Sequence, residues 1–236
     1  MPNLAAPARE VAPQLLGMEL VHHSGGVERS GLIVEVEAYE GADDPASHAH
    51  NGRTERNAVM FGPAGRAYVY RSYGIHWCMN VVCGSEGVAS AVLIRALQPL
   101  IGIDVMWRDR PKAKKLTDLA SGPGKLCAAL GLGHEHYGSD LFDPDSSVQL
   151  RQRSVPSPDT PTDGVRVGLI DSGLARPRPA RAGLTGAGLA GSGLVVQGPR
   201  VGISRAVERP WRFAIGGNPH VSRPRPPGWA EGGPTA

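Results

Sequence analysis

The sequence predicts one mixed α/β (α+β) domain, richer in strands than in long helices, on three observations. Runs of period-two alternation recur between residues 32 and 100. The chain has 32 Gly and 21 Pro among 236 residues, a balance that favours loops and strands. Only 101–119 and a short run ending near Gly131 read as helical. With 41% hydrophobic residues the chain is long enough for one sizeable core.

Each element follows from its local pattern. Residues 1–13 are Pro- and Ala-rich and are expected to be disordered. QLLGMELVHH, 14–23, leads into a first strand, and Ser24-Gly25-Gly26 turns it into a second. That second strand carries LIVEVEAY. Strict alternation there puts Leu32, Val34, Val36 and Ala38 on one face, and Ile33, Glu35, Glu37 and Tyr39 on the other. At about 3.3 Å per residue, Glu35 and Glu37 have Cα atoms roughly 6–7 Å apart.

The long polar loop EGADDPASHAHNGRTERNAVMFG follows; loops of this length in compact domains are usually functional or disordered. Its His48-x-His50 pair lacks a third ligand at diagnostic spacing, so a wall role for one histidine is preferred to metal binding. RAYVYRSY and IHWCMNVV alternate on either side of Tyr73-Gly74, which reads as a hairpin with Tyr73 near its tip. An aromatic projecting from such a ribbon is an anchor for a partner or a wedge that opens a stack. SEGVASAVLIRALQPL is a further strand, with Arg95 opposite Val92 and Ile94; an arginine there requires a carboxylate or ordered water.

Downstream, RDRPKAKK is a basic patch broken by Pro111, and SGPGKLCAALGL opens a helix at a proline, with Lys125 placed for an anion. It lacks P-loop spacing. Residues 172–200 are read as a flexible Gly/Ala/Arg-rich insertion between strands RVGLI and RVGIS; PWRFAIGGNP is a final strand and turn, and 223–236 a loose tail.

Composition narrows the class. The formal net charge is +3, and lysine occurs only at 112, 114, 115 and 125, so the basic residues are mostly arginines that fork onto phosphate. GC-rich coding would give the same excess. Three cysteines without a CxxC pair favour buried thiols over disulfides or zinc. No charged, apolar leader opens the chain and no apolar run is long enough for a membrane span, so a soluble intracellular protein is expected.

The chemistry concentrates in 32–80. Paired carboxylates invite comparison with glycosidases, whereas an N-glycosidic bond needs only one carboxylate to orient water and oppose positive charge on the sugar. Tyrosines and a histidine nearby favour a nucleobase, since stacking contributes on the order of 1–3 kcal/mol per base. The scarcity of lysine weighs against a Schiff-base lyase.

EVEAYEGADDPASHAHNGRTERNAVMFGPAGRAYVYRSYGIHWCMNVV, followed by VLIRALQPL, SGPGKLCAALGL and PWRFAIGGNP, closely resembles the alkyladenine (3-methyladenine) DNA glycosylases of eukaryotes and bacteria, from about residue 14 to 222. The resemblance implies a single domain over 14–222 with a curved antiparallel sheet and a protruding hairpin that enters the minor groove of damaged double-stranded DNA. It implies excision of alkylated purines, hypoxanthine and ethenoadenine without metal or organic cofactor, by a monomer in the bacterial cytoplasm and nucleoid. Residue by residue, it matches Glu37 to the general base and Arg95 to the residue that helps hold the water. Tyr39, His48 and Tyr70 match the base pocket, Asn80 the side chain that disfavours guanine, and Tyr73 the wedge. Arg53, Met60 and Lys125 fall in segments near DNA. His76 stands where aromatics are frequent, and the 172–200 stretch exceeds the family's usual connection. Two rival readings remain: a sugar-directed glycosidase using Glu35 and Glu37, and a damaged-DNA binding module without catalysis.

Overall fold

A computed structural model describes residues 1–152 and 194–229. The long strand β2 (Val27–Glu40) is the spine of an all-antiparallel sheet. β5 (Ser90–Ile101) runs along one of its edges, followed outward by β4 (His76–Cys83) and β3 (Ala67–Ser72). Its other edge is shared. β1 (Glu19–Ser24) pairs with Val27–Leu32 and carries β6 (Val148–Arg151) beyond it, while β8 (Arg212–Ile215) pairs with Glu35–Glu37 and carries β7 (Val195–Gly198).

The alternation in LIVEVEAY is not strict in the fold. Ile33, Val36 and Ala38 enter the main core, whereas Leu32 and Val34 enter a second cluster with Ala96, Val196, Ala214 and Trp229. The cause is a pair of irregularities: β2 slips against β5 between Ile33 and Glu35, and again between Glu35 and Val36. Bulges of this kind re-aim side chains and increase twist. Here they coincide with the point where β2 exchanges β1 for β8.

Three helices cover the main core: α1 (Ala8–Leu15), α2 (Ile103–Asp109) and α3 (Pro123–Leu130). The order of α1 corrects the expectation of a loose N-terminus. Ala8, Val11, Ala12 and Leu15 follow the i, i+3, i+4, i+7 rule and are fully buried, so a narrow apolar stripe outweighs the Pro-rich composition. The 101–119 stretch is α-helical only over α2, with one 3-10 turn at Leu116–Asp118. α3 starts as expected at Pro123 and stops at Gly131 with φ 75°, where a Cβ would collide with the Arg29 guanidinium.

Further corrections concern the C-terminal third. The region assigned to an insertion contains β7 and, at its end, a buried Arg200. RVGIS is a loop rather than a strand; RVGLI and residues 172–193 lie outside the described residues. The supposed tail is held as far as Trp229, which is buried beneath the Arg212 guanidinium at 4.6 Å and accepts a hydrogen bond from Gly217 N–H. Among the described residues no helix is long and apolar enough to cross a membrane. Cys78, Cys83 and Cys127 are free and buried.

Candidate active site

Strand register assembles the site. Tyr68 pairs with Asn80, Asn80 with Leu93, Leu93 with Glu37 and Glu37 with Arg212, a single row across five strands. Cross-strand partners share a face, so Leu93 and Arg212, distant in sequence, become neighbours of Glu37 only through pairing, and Asn80 and Tyr68 continue the row. Tyr68, Asn80 and Leu93 line a cavity of about 480 Å³. The volume suits a small planar ligand.

Tyr39, Tyr70, His48 and Met60 form much of the rest of the wall, with Arg56, Cys78 and Arg95. Tyr68 and Tyr70 stack at 5.3 Å, and His48 meets Tyr70 edge-on at 4.5 Å. The Tyr68 hydroxyl lies 2.9 Å from His48 Nδ1. Burial, assisted by Arg56, lowers the His48 pKa and keeps the imidazole neutral near pH 7. Burial also pushes the Tyr68 hydroxyl up to about 12, and raises Tyr70 further. The rings are therefore neutral, flat surfaces. Asn80 Nδ2 donates to Tyr68 O at 3.0 Å, which fixes its side chain at the wall.

Behind the wall lie two fully buried carboxylates, Glu35 and Glu37. Arg95 bridges them, Nε donating to Glu35 Oε1 at 2.9 Å and Nη1 to Glu37 Oε2 at 3.1 Å. Their other partners differ. Glu35 also accepts from Arg212 Nε at 2.7 Å, from Ser222 Oγ at 2.8 Å and from Ser222 N–H at 2.6 Å. Glu37 accepts from the Tyr39 hydroxyl at 3.0 Å on Oε2 and from Val201 N–H at 2.7 Å on Oε1. A carboxylate offers about four lone-pair positions, and among the described residues Oε1 takes one donor where Oε2 takes two.

Their surroundings push the pair apart. For Glu37 burial is the largest influence and outweighs Arg95, Val201 and Tyr39, so its pKa is raised. Burial also acts most strongly on Glu35, but Arg95, Arg212 and two bonds from Ser222 together overcome it and lower that pKa. Neighbouring acids pushed in opposite directions are how a site divides roles between two carboxyls. Glu37 does not itself line the cavity, whereas its partners Tyr39, Arg95 and Val201 do; it sits fully buried one layer beneath them.

The other residues expected at the site divide by position. Tyr73, 89% exposed, stands at the hairpin tip on the cavity rim, and Ile75 beside it is 70% exposed. The turn is tight, with φ 50° at Tyr73, φ 68° at Gly74 and Ile75 N–H bonded to Ser72 O at 3.0 Å. Glycine adopts that conformation freely; tyrosine does so under strain. Met60 is buried in the wall rather than facing outward. Arg53 and Lys125 are exposed and outside the cavity, although Pro123, two residues before Lys125, lines it.

Sequence reasoning missed the loop 201–205, which supplies both the Val201 N–H and part of the wall. It also missed the clamp that holds it. Arg200 Nη2 donates to Asp44 Oδ1 at 2.9 Å, Nη1 donates to Ala38 O at 3.0 Å, and the guanidinium lies 4.7 Å from the Tyr39 ring and 5.2 Å from Trp211. Asp44 and Arg200 are 156 residues apart, and nothing local announces the pair.

A buried acid behind a cavity of neutral aromatic rings is compatible with hydrolysis of a bond next to a flat heterocycle. The chain belongs to the methylpurine-DNA glycosylase family, whose model matches residues 3–187. A protein of Rhodopseudomonas palustris is 44% identical over 220 residues, covering 93% of this chain and 88% of its own length. One from Burkholderia cenocepacia is 43% identical over 217 residues (91% and 86%), and one from Frankia casuarinae 44% over 221 residues (94% and 90%). All three bear the provisional name of 3-methyladenine DNA glycosylase.

Proposed function

We propose that the protein is a monofunctional DNA glycosylase that starts base excision repair by releasing damaged purines, among them 3-methyladenine, 7-methylguanine, hypoxanthine and ethenoadenine. The observation that carries this reading is the Glu37 carboxylate, held by Arg95, Tyr39 and Val201 N–H directly behind an aromatic-walled cavity.

In the proposed reaction the damaged nucleotide leaves its duplex stack and its base enters the cavity against Tyr39, His48 and Tyr70. Removing a base from the stack costs a few kcal/mol, less where the base is damaged. Tyr73, inserted from the minor groove, fills the space left behind. A water molecule at Glu37 Oε1 faces C1′. The C1′–N bond breaks, its electron pair departs with the base, and the sugar becomes cation-like. The water oxygen then bonds to C1′ and its proton passes to Glu37. The carboxylate also opposes the transient positive charge. A raised pKa suits a base that must both take and hold a proton near neutral pH. Arg95 orients Glu37, and Asn80 sets which purine edge fits.

Arg53 and Lys125, both exposed, are assigned to backbone phosphates of double-stranded DNA. The enzyme works as a monomer in the cytoplasm, at the nucleoid. Its domain is assigned to 14–222 together with the flanking α1 and the segment to Trp229. The test is incubation with duplexes carrying one damaged purine each, followed by alkaline cleavage of abasic sites. Lesion-dependent strand breaks are expected. Intact strands for every lesion, despite lesion-selective binding, would leave a recognition module in place of an enzyme.

A further inference from the structure

The charge of the cavity wall bears on which damaged purines it holds. Alkylation at a purine ring nitrogen leaves the base positively charged, whereas deamination or an etheno bridge leaves it neutral. Aromatic faces attract cations through their quadrupole, so a tyrosine pocket by itself favours the charged class. Here both candidate stacking rings already lie against a cation of the protein. Arg200 Cζ is 4.7 Å from the centre of Tyr39, and Arg56 Cζ is 5.3 Å from the centre of Tyr70.

The wall contains Arg56, Arg95 and Arg205 and, among the described residues, no aspartate or glutamate. Arg95 is offset by Glu35 and Glu37, and Arg200 by Asp44. Arg56 and Arg205 are different: neither meets a carboxylate among the described residues, and the Arg56 guanidinium, the one that lies over a stacking ring, donates to a backbone carbonyl, Arg71 O at 3.1 Å. His48, against the same Tyr70 ring, has its pKa lowered by burial and by Arg56 and adds no compensating negative charge. Arg56 is an exposed residue whose guanidinium reaches over the Tyr70 face of the cavity, so an occupant lies within about a Debye length, ~8 Å at physiological salt, of a positive charge that solvent screens in part.

We propose that Arg56 makes this pocket select against positive charge, so that neutral damaged purines are bound more tightly than cationic N-alkylpurines of the same shape. The inference rests on the glycosylase reading above and refines its substrate class. Cationic bases are still released, because their glycosidic bonds are intrinsically weak and need less help once inside. Neutral lesions, with stronger bonds, gain from residence in the pocket. Selectivity thus divides between binding, set by Arg56, and bond lability, set by the lesion.

The test compares 7-methylguanine with 7-deaza-7-methylguanine, two bases of one outline that differ by a single charge. Each is placed in a duplex on 2′-fluoroarabinose, which resists cleavage, and titrated with the unaltered protein. The neutral base is expected to bind about tenfold more tightly, equivalent to about 1.4 kcal/mol. Arg56→Gln brings the two affinities together, and Arg56→Lys keeps them apart. Equal or tighter binding of the cationic base by the unaltered protein overturns the proposal. So does an Arg56→Gln variant that weakens both duplexes and undamaged DNA alike, the behaviour of a phosphate contact. Release of base from the cleavable counterparts is scored separately. Absence of any release refutes the glycosylase reading while leaving the charge comparison intact.

Discussion

The floor and the rim of the cavity are built on opposite principles. At the floor, Arg95, Glu35 and Glu37 are buried, and the carboxylates are tied to one another and to Arg212, Ser222, Tyr39 and Val201 by bonds of 2.6–3.1 Å. Charges out of water survive only with such partners, and removing one partner strands the others. At the rim, Tyr73 and Ile75 project from a two-residue turn into solvent, and Tyr73 holds a left-handed φ of 50°. Large exposed apolar side chains contribute little to folding. Under the proposed function the floor couples stability to chemistry, whereas the rim keeps them separate.

The largest effect should come from breaking the floor. Arg95→Met leaves two buried carboxylates without their shared cation, and a loss of about 3–5 kcal/mol in urea unfolding is expected, together with loss of excision. Unchanged stability would mean that the floor is not the buried network described. Next, Glu37→Gln should lower single-turnover excision by about 10²–10⁴-fold while lesion binding persists, because shape is kept and only the base is lost. Its stability cost should be smaller than that of Arg95→Met, since Glu35 still pairs with Arg95. Retained excision would shift the base to another group.

The rim should respond in activity alone. Tyr73→Ala is expected to reduce excision from duplex about tenfold, to affect single-stranded substrate less, and to change stability by no more than about 0.5 kcal/mol, as for other exposed sites. Equal rates on duplex would remove the wedge.

The smallest and sharpest effect is on pH. Glu37, held above the ordinary carboxylate value, must ionise to act, so kcat/KM should rise with pH through a value above that range, and Glu37→Gln should lack this limb. For folding the sign reverses between the two acids. Glu35, held low, contributes stability that is present above the ordinary value and lost as pH falls through its own pKa. Glu37, held high, contributes stability that is complete below the ordinary value and lost as pH rises through its own. Acid unfolding of Glu35→Gln should therefore be less pH-dependent than that of the unaltered protein.

Local patterns carried much of the architecture. The hairpin, β5, β8 and α3 lie where alternation, the Tyr73-Gly74 turn and the proline start placed them. α1 was hidden because four buried positions in eight residues are a weaker signal than Pro-rich composition. The bulges in β2 were hidden because slippage is set by the partner strand, not by the strand itself.

By itself the sequence determined the parts: a strand bearing two acids and a tyrosine, a histidine loop, a tyrosine hairpin and a strand bearing one arginine. Its local pattern could not distinguish the surroundings of Glu35 and Glu37, which differ by two positions on what looked like one face. Tertiary structure set them apart, through Val201, 164 residues from Glu37, and through Arg212 and Ser222, 177 and 187 residues from Glu35. The physical reason is that a buried carboxyl's proton affinity and its free lone pairs depend on which donors surround it, and those donors arrive from the far end of the chain.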